Sequence, residues 1–115
     1  VGTNAFSGTE NLQNIDLSMA TKLDYIGANA FENSGLTSID LSKNTTLKEI
    51  NASTFAGCGY LTTVVLPASV KTIASHAFYN CANLTAITGV TTVDKIETGA
   101  FEGCSRLETK PSQKA

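Results

Sequence analysis

The chain lacks the groups on which most catalytic sites depend. It has a single histidine in 115 residues, and it contains no G-x-S-x-G turn, no glycine-rich phosphate loop and no H-E-x-x-H segment. An enzyme therefore finds little support in the sequence. We expect no catalytic residue and no cofactor, and His76 is interpreted as a surface turn residue.

Long apolar runs and concentrated positive charge are also missing. No apolar run approaches the ~18 residues that a membrane-spanning helix requires, so no transmembrane segment is expected. Eight basic and ten acidic residues are spread along the chain, with a formal net charge of -2. Without a basic stripe, nucleic acid is not expected as a partner. The length corresponds to one domain.

What the chain does have is a repeat. Its five phenylalanines are 25, 24, 23 and 23 residues apart, and four of them follow an alanine. Self-similarity at this period is typical of a solenoid, in which one short unit stacks on copies of itself. We therefore expect the aromatic rings to form one row through the interior: Phe6, Phe31, Phe55, Phe78 and Phe101.

Each unit carries two further apolar patterns. After the phenylalanine comes L-x-x-I-x-L, as in Leu36, Ile39 and Leu41, whose end alternates with period 2 and predicts a short strand with one buried face. A second apolar pair follows, such as Leu47 with Ile50. Each unit thus turns at least twice before the next begins.

These residues resemble the BspA-like leucine-rich repeat, I-G-x-x-A-F-x-x-C-x-x-L-x-x-I-x-L-P-x-x-V-x-x-I. The third unit matches it best, through Ile50, Phe55, Cys58, Leu61, Val64, Leu66, Pro67, Val70 and Ile73. We therefore expect a leucine-rich-repeat solenoid, a right-handed β-rich superhelix of the α/β class. It would have about five coils of 23–25 residues and a parallel sheet on its concave side.

The cysteines occupy one position of the repeat, three residues after a phenylalanine: Cys58, Cys81 and Cys104. Three thiols at one repeat position are compatible with a disulfide, a metal site or simple packing. Stacked parallel side chains keep Cβ atoms ~4.8 Å apart, beyond the ~3.8 Å that a disulfide prefers. A zinc site would want a fourth ligand. Since Ser34 and Thr9 fill the same position, we expect buried free thiols.

The candidate partner-contacting surface, called the concave strip below, consists of the outward positions of the L-x-x-I-x-L strands. Asp16 and Asp40 should be adjacent there, but calcium wants six to eight oxygen ligands and Val65 and Thr88 follow in the row. No metal is therefore expected. The strip could contact a protein, contact a glycan, or be solvated surface: Asn14, Asp16, Ser38, Asp40, Thr63, Val65, Ala86 and Thr88.

A second outward row carries alternating charges. Asp24 would lie beside Lys48, and Asp94 beside Lys71. Exposed pairs of this kind are worth little, so we expect them to fix the stacking register rather than to add stability.

The chain ends bear on the domain boundaries. Val1 fills the last apolar position of a preceding coil, so we expect a piece of a longer array, residues 1–110. At the other end Lys110 replaces the strand isoleucine and Pro111 follows, so residues 111–115 are interpreted as a tail or linker.

The family resemblance implies a non-catalytic binding module, the repeat segment of an extracellular or cell-surface adhesin or antigen that contacts host protein or glycan. Fold alone does not carry function, so a spacer that displays another domain remains the alternative. The three N-x-[ST] matches, at Asn44, Asn51 and Asn83, are close to chance for this composition and carry no weight.

Overall fold

A computed structural model describes residues 1–107. Across this range the chain winds in stacked coils, in which strands of two or three residues alternate with turns. The regular elements are β1 (Ser38–Asp40), β2 (Glu49–Ile50), β3 (Thr63–Val65), β4 (Thr72–Ile73), β5 (Ala86–Thr88), a 3₁₀ helix (Val90–Thr92) and β6 (Lys95–Ile96).

The strands form two parallel sheets, one on each side of the coil. The first has the order β1-β3-β5 and the second β2-β4-β6. Ile39 pairs with Val64 and Val64 with Ile87, so the register of the first sheet is the alignment of the sequence repeats. Ile50, Ile73 and Ile96 are aligned in the same way in the second sheet. The parallel sheet predicted from the L-x-x-I-x-L pattern is confirmed.

The phenylalanines form the predicted interior row. Neighbouring ring centroids are 5.2, 5.5, 5.3 and 5.3 Å apart from Phe6 to Phe101, and every pair is stacked within 9° of parallel. Phe31, Phe55 and Phe78 are fully buried. Since the coils stack at the spacing of hydrogen-bonded strands, each ring meets its equivalent in the next coil.

Around each phenylalanine the backbone itself links the coils. The phenylalanine N–H donates to a carbonyl of the next coil, for example Phe31 to Thr54 at 2.9 Å and Phe55 to Ala77 at 2.8 Å. The residues two before and two after each phenylalanine have positive φ, a conformation that favours Gly and Asn. These residues are Asn4, Gly8, Asn29, Asn33, Ser53, Gly57, His76, Asn80, Gly99 and Gly103.

The three cysteines are buried and free. Each Sγ donates to the phenylalanine carbonyl of the preceding coil at 3.1 Å, as Cys58 does to Phe31. Burial raises the pKa of the Cys58 thiol, while hydrogen bonding with Cys104 and burial raise the pKa of Cys81. The Cys58 and Cys81 thiols therefore stay protonated, and all three cysteines act as small packing groups with a hydrogen bond.

The turn between the two strands differs between coils, as the spacing of the apolar residues predicts. The second coil makes two successive turns, in which the Asn44 N–H donates to Leu41 and the Leu47 N–H to Asn44. The third coil makes one, from Pro67 to Val70. In the fourth coil Gly89 replaces leucine because its φ is 89° and an added Cβ would collide with the Leu66 carbonyl.

The charged residues directly before β2, β4 and β6 lie beside one another in neighbouring coils. The Lys71 N–H donates to the Lys48 carbonyl and the Asp94 N–H to the Lys71 carbonyl, both at 2.8 Å. Within residues 1–107, however, the ion pair that does form joins Lys95 to Glu97 at 3.4 Å. No ion pair of residues 1–107 joins Asp24 to Lys48 or Asp94 to Lys71, as expected for exposed charges of little energetic worth. That the row sets the stacking register stays a prediction.

The predicted boundary between the array and the tail, at residues 110 and 111, lies outside the residues that the structure describes. So does Lys110, at the position of the strand isoleucine.

Candidate functional site

The concave strip is one surface over β1, β3 and β5. Ser38, Thr63 and Ala86 are partners across the sheet, and so are Asp40, Val65 and Thr88. All six side chains face outward, and only Val65 is half-buried rather than exposed. The outward direction predicted for these positions is confirmed.

The first coil departs from that pattern, so the expected row across four strands is wrong. Asn14 and Asp16 are exposed, but the segment that contains them is not a strand of the sheet. Leu41 donates its N–H to Val65 at 2.8 Å, and Leu66 does the same to Thr88 at 2.9 Å. Within residues 1–107, Leu17 makes no equivalent backbone hydrogen bond to β1.

A groove of about 240 Å³ lies where the missing strand would pair. Residues 14–18 form one wall, and β1 with Lys43 forms the other. The groove is closed at both ends: the Thr37 N–H donates to the Gln13 carbonyl at 3.1 Å, and Asn44 Nδ2 donates to the Leu17 carbonyl at 3.0 Å. The first coil is thus fixed on either side of a local opening.

Electrostatics give a reason for the opening. In a continued sheet Asp16 would lie directly opposite Asp40, and like charges in that arrangement are destabilising. The next pair in the row, Asp40 with Val65, carries no such conflict and is in register. Asp40 and Val65 therefore pair, whereas Asp16 is displaced from the sheet.

Both aspartates also close local turns. Asp16 Oδ1 accepts the Ser18 N–H and Asp40 Oδ1 accepts the Ser42 N–H, each at 2.9 Å, which is the geometry of an Asx turn. Hydrogen bonds from the Ser18 side chain and backbone lower the pKa of Asp16, and those from Ser42 lower the pKa of Asp40. Both carboxylates are therefore ionised at neutral pH.

Other groupings in the described part of the chain offer less chemistry. No group of three His, Cys, Asp or Glu side chains among residues 1–107 is placed to hold a metal ion. A wider cleft of about 870 Å³ lies beside Gly35, between Asn11 of the first coil and Tyr60 of the third. Of the residues that line it, Glu10 alone is charged at neutral pH. Its walls are mainly glycine and amide groups.

Three asparagines hold neighbouring coils together, a role that the sequence patterns did not indicate. The asparagines of the three N-x-[ST] matches each donate Nδ2 to a carbonyl of the preceding coil, Asn51 to Ile26 at 2.6 Å and Asn83 to Gly59 at 2.7 Å. Asn44 is fully buried and binds Ala20 as well as Leu17. Because these amides hold coils together, the asparagines have a structural role that the motif does not indicate.

The chain was compared with known families and structures. Residues 1–108 match the family model for the BspA type leucine-rich repeat region in six copies. A leucine-rich repeat protein from Bacteroides ovatus of known crystal structure is 24% identical, with a TM-score of 0.54 over 76% of this chain. The matched region is 28% of that protein's chain, so the likeness shows the fold only. No curated protein matches.

Repeats of this type serve in general as binding scaffolds rather than catalytic centres. Within residues 1–107 no helix has the length and hydrophobicity needed to cross a bilayer. The residues that carry the motif are those that form the interior: the phenylalanine row, the aligned strand isoleucines and the cysteine position. The chain belongs to the family of BspA-type leucine-rich repeats.

Proposed function

We propose that this chain is the repeat segment of a non-catalytic, extracellular or cell-surface binding module, an adhesin or antigen that contacts host protein or glycan through its concave strip. The array is taken to be a right-handed superhelix of about five coils. The observation that supports the proposal is the pair of in-register rows of outward side chains, mostly polar and exposed, over three parallel strands.

The composition of the strip determines what kind of binding to expect. Its side chains are short, and it contains none of the Trp, Tyr or Arg residues that dominate strong interfaces. The large exposed hydrophobic side chains of the described residues, Met19, Tyr25 and Tyr60, belong to other parts of the coils. Affinity would therefore be distributed over many weak contacts, and avidity would rise with the number of repeats.

The test uses immobilised host extracellular-matrix proteins and a glycan array as probes. The double variant Asp16→Lys/Asp40→Lys reverses two charges on the strip. Asp24→Lys/Asp94→Lys is the matched control, because it makes the same charge change at exposed positions outside the concave strip. Binding that the strip variant loses and the control keeps supports the proposal.

The second candidate is a structural spacer that displays another domain. It is favoured by the absence of an aromatic anchor from the strip. If a probe binds and both double variants bind it equally well, the concave strip is solvated surface. The structural spacer then replaces the binding module as the proposed function.

A further inference from the structure

The groove between residues 14–18 and β1 has the features of a pocket for one charged side chain. At about 240 Å³ it is smaller than the ~300–1,000 Å³ of typical small-molecule sites. Ile15, Leu17 and Ile39 contribute apolar surface to it, and Asp16 and Asp40 line its opposite walls. Apolar surface below carboxylates suits a side chain with an aliphatic stem and a cationic head.

Two unbalanced negative charges define the chemistry. Neither Asp16 nor Asp40 has a cation within 4 Å among the residues that the structure describes. Lys43 lines the rim and its charge helps to lower the pKa of Asp40, yet it does not form an ion pair there. A cation placed between the aspartates would offset their mutual repulsion.

We propose that this groove is an anchor pocket for a single basic side chain, an arginine in preference to a lysine, presented by a protein partner. The proposal rests on the proposed function, because it specifies the kind of partner residue that the concave strip receives. The planar guanidinium can donate to both aspartates at once and to the carbonyl groups left open along β1. A lysine ammonium offers fewer donors and is more strongly hydrated.

Lys43 has a definite part in this arrangement. As a like charge at the rim it competes with an incoming guanidinium, so its removal should strengthen binding while removal of either aspartate weakens it. A loss of overall stability would weaken binding in every variant. Stronger binding after removal of Lys43 and weaker binding after removal of an aspartate would therefore indicate direct contact with the basic side chain.

The experiment is an amide NMR titration of the 115-residue chain with acetyl-Gly-Gly-Arg-Gly-Gly-amide, whose only charge is the guanidinium. The same peptide with lysine, and with uncharged citrulline, gives the matched series. We expect saturable shifts at Asp16, Ser18, Asp40 and Ser42, with affinity in the order arginine, lysine, citrulline. One anchor contact corresponds to a dissociation constant in the millimolar range.

Single substitutions test whether the arginine peptide binds in the groove. Asp16→Asn and Asp40→Asn should each weaken the arginine peptide about two- to fivefold, and Lys43→Ala should strengthen it by a similar factor. Asp24→Asn and Lys48→Ala, which make the same charge changes at exposed positions outside the groove, should do neither. Far-UV circular dichroism of every variant establishes that it is folded.

The proposal is overturned if citrulline binds as well as arginine, if the shifts lie outside the groove, or if Asp24→Asn weakens binding as much as Asp16→Asn. Each of these results leaves the proposed function intact, because other parts of the strip could still contact a partner. Loss of the proposed function would instead show as binding of matrix proteins or glycans that no change on the strip affects.

Discussion

Truncation of the central ring of the phenylalanine row tests the physical basis of the fold. Phe55 is fully buried and stacks on Phe31 at 5.5 Å and on Phe78 at 5.3 Å. Burial of such a side chain is worth ~1.5–3 kcal/mol, and each ring contact adds ~0.5–1.5 kcal/mol. Phe55→Ala should therefore lower the free energy of unfolding by ~3–5 kcal/mol.

The end of the row supplies the matched control. Phe6 is half-buried and has one ring neighbour among the described residues, Phe31 at 5.2 Å. Phe6→Ala should therefore cost about half as much as Phe55→Ala. If the central variant is too unstable to study, Phe55→Leu keeps most of the volume and should lose less than Phe55→Ala.

The assay is urea unfolding followed by circular dichroism, with the three variants and the parent at one protein concentration. Neighbouring coils stabilise each other in repeat proteins, so the whole transition should shift when the central ring is removed. Equal losses for Phe6→Ala and Phe55→Ala would refute the reasoning, because the cost would then not follow the number of ring contacts.

Four further results are expected. The buried thiols should react with a thiol reagent only after denaturation, and rapid labelling of all three in the native protein would contradict their burial. Gly103→Ala should cost ~1–3 kcal/mol in thermal unfolding, because φ is +82° and the new Cβ meets the Asn80 side chain; Gly2→Ala, in open space, should be near neutral. Asn44→Ala should cost ~1–3 kcal/mol because it removes two hydrogen bonds between the first and second coils, although the Leu17 and Ala20 carbonyls keep their own turn N–H donors. Thr45→Ala, at an exposed site, is the control, and equal losses from the two variants would exclude that role. The lowered pKa of Asp40 means that the unfolded state takes up its proton first as the pH falls. This contribution to stability is therefore present above the ordinary pKa of 3.8 and is lost as the pH falls through the folded-state pKa, and Asp40→Asn should flatten the acid side of the stability curve.

The sequence predicted most of the fold because, in a solenoid, residues one repeat apart lie next to each other in neighbouring coils. Equivalent residues such as Ile39 and Val64 must meet once the coils hydrogen-bond in parallel, whatever the details of the turns. The cysteine position could be interpreted by the same reasoning, since Ser34 occupies it in the second coil and contacts Cys58 Sγ at 3.5 Å. The recurrence of Asn and Gly two residues before and after the phenylalanines is a sequence signal for the positive-φ positions, and it was not used.

The sequence by itself thus determined the repeat, its buried rows and the outward direction of the concave strip, since these follow from which residues recur at which spacing. Only the tertiary structure decided where the rows are interrupted. The segment that contains Asp16 does not join the sheet, and Asn44 holds the first coil by reaching two carbonyls across the turn. Such contacts join residues at different positions of the repeat, and a periodic pattern aligns only equivalent ones.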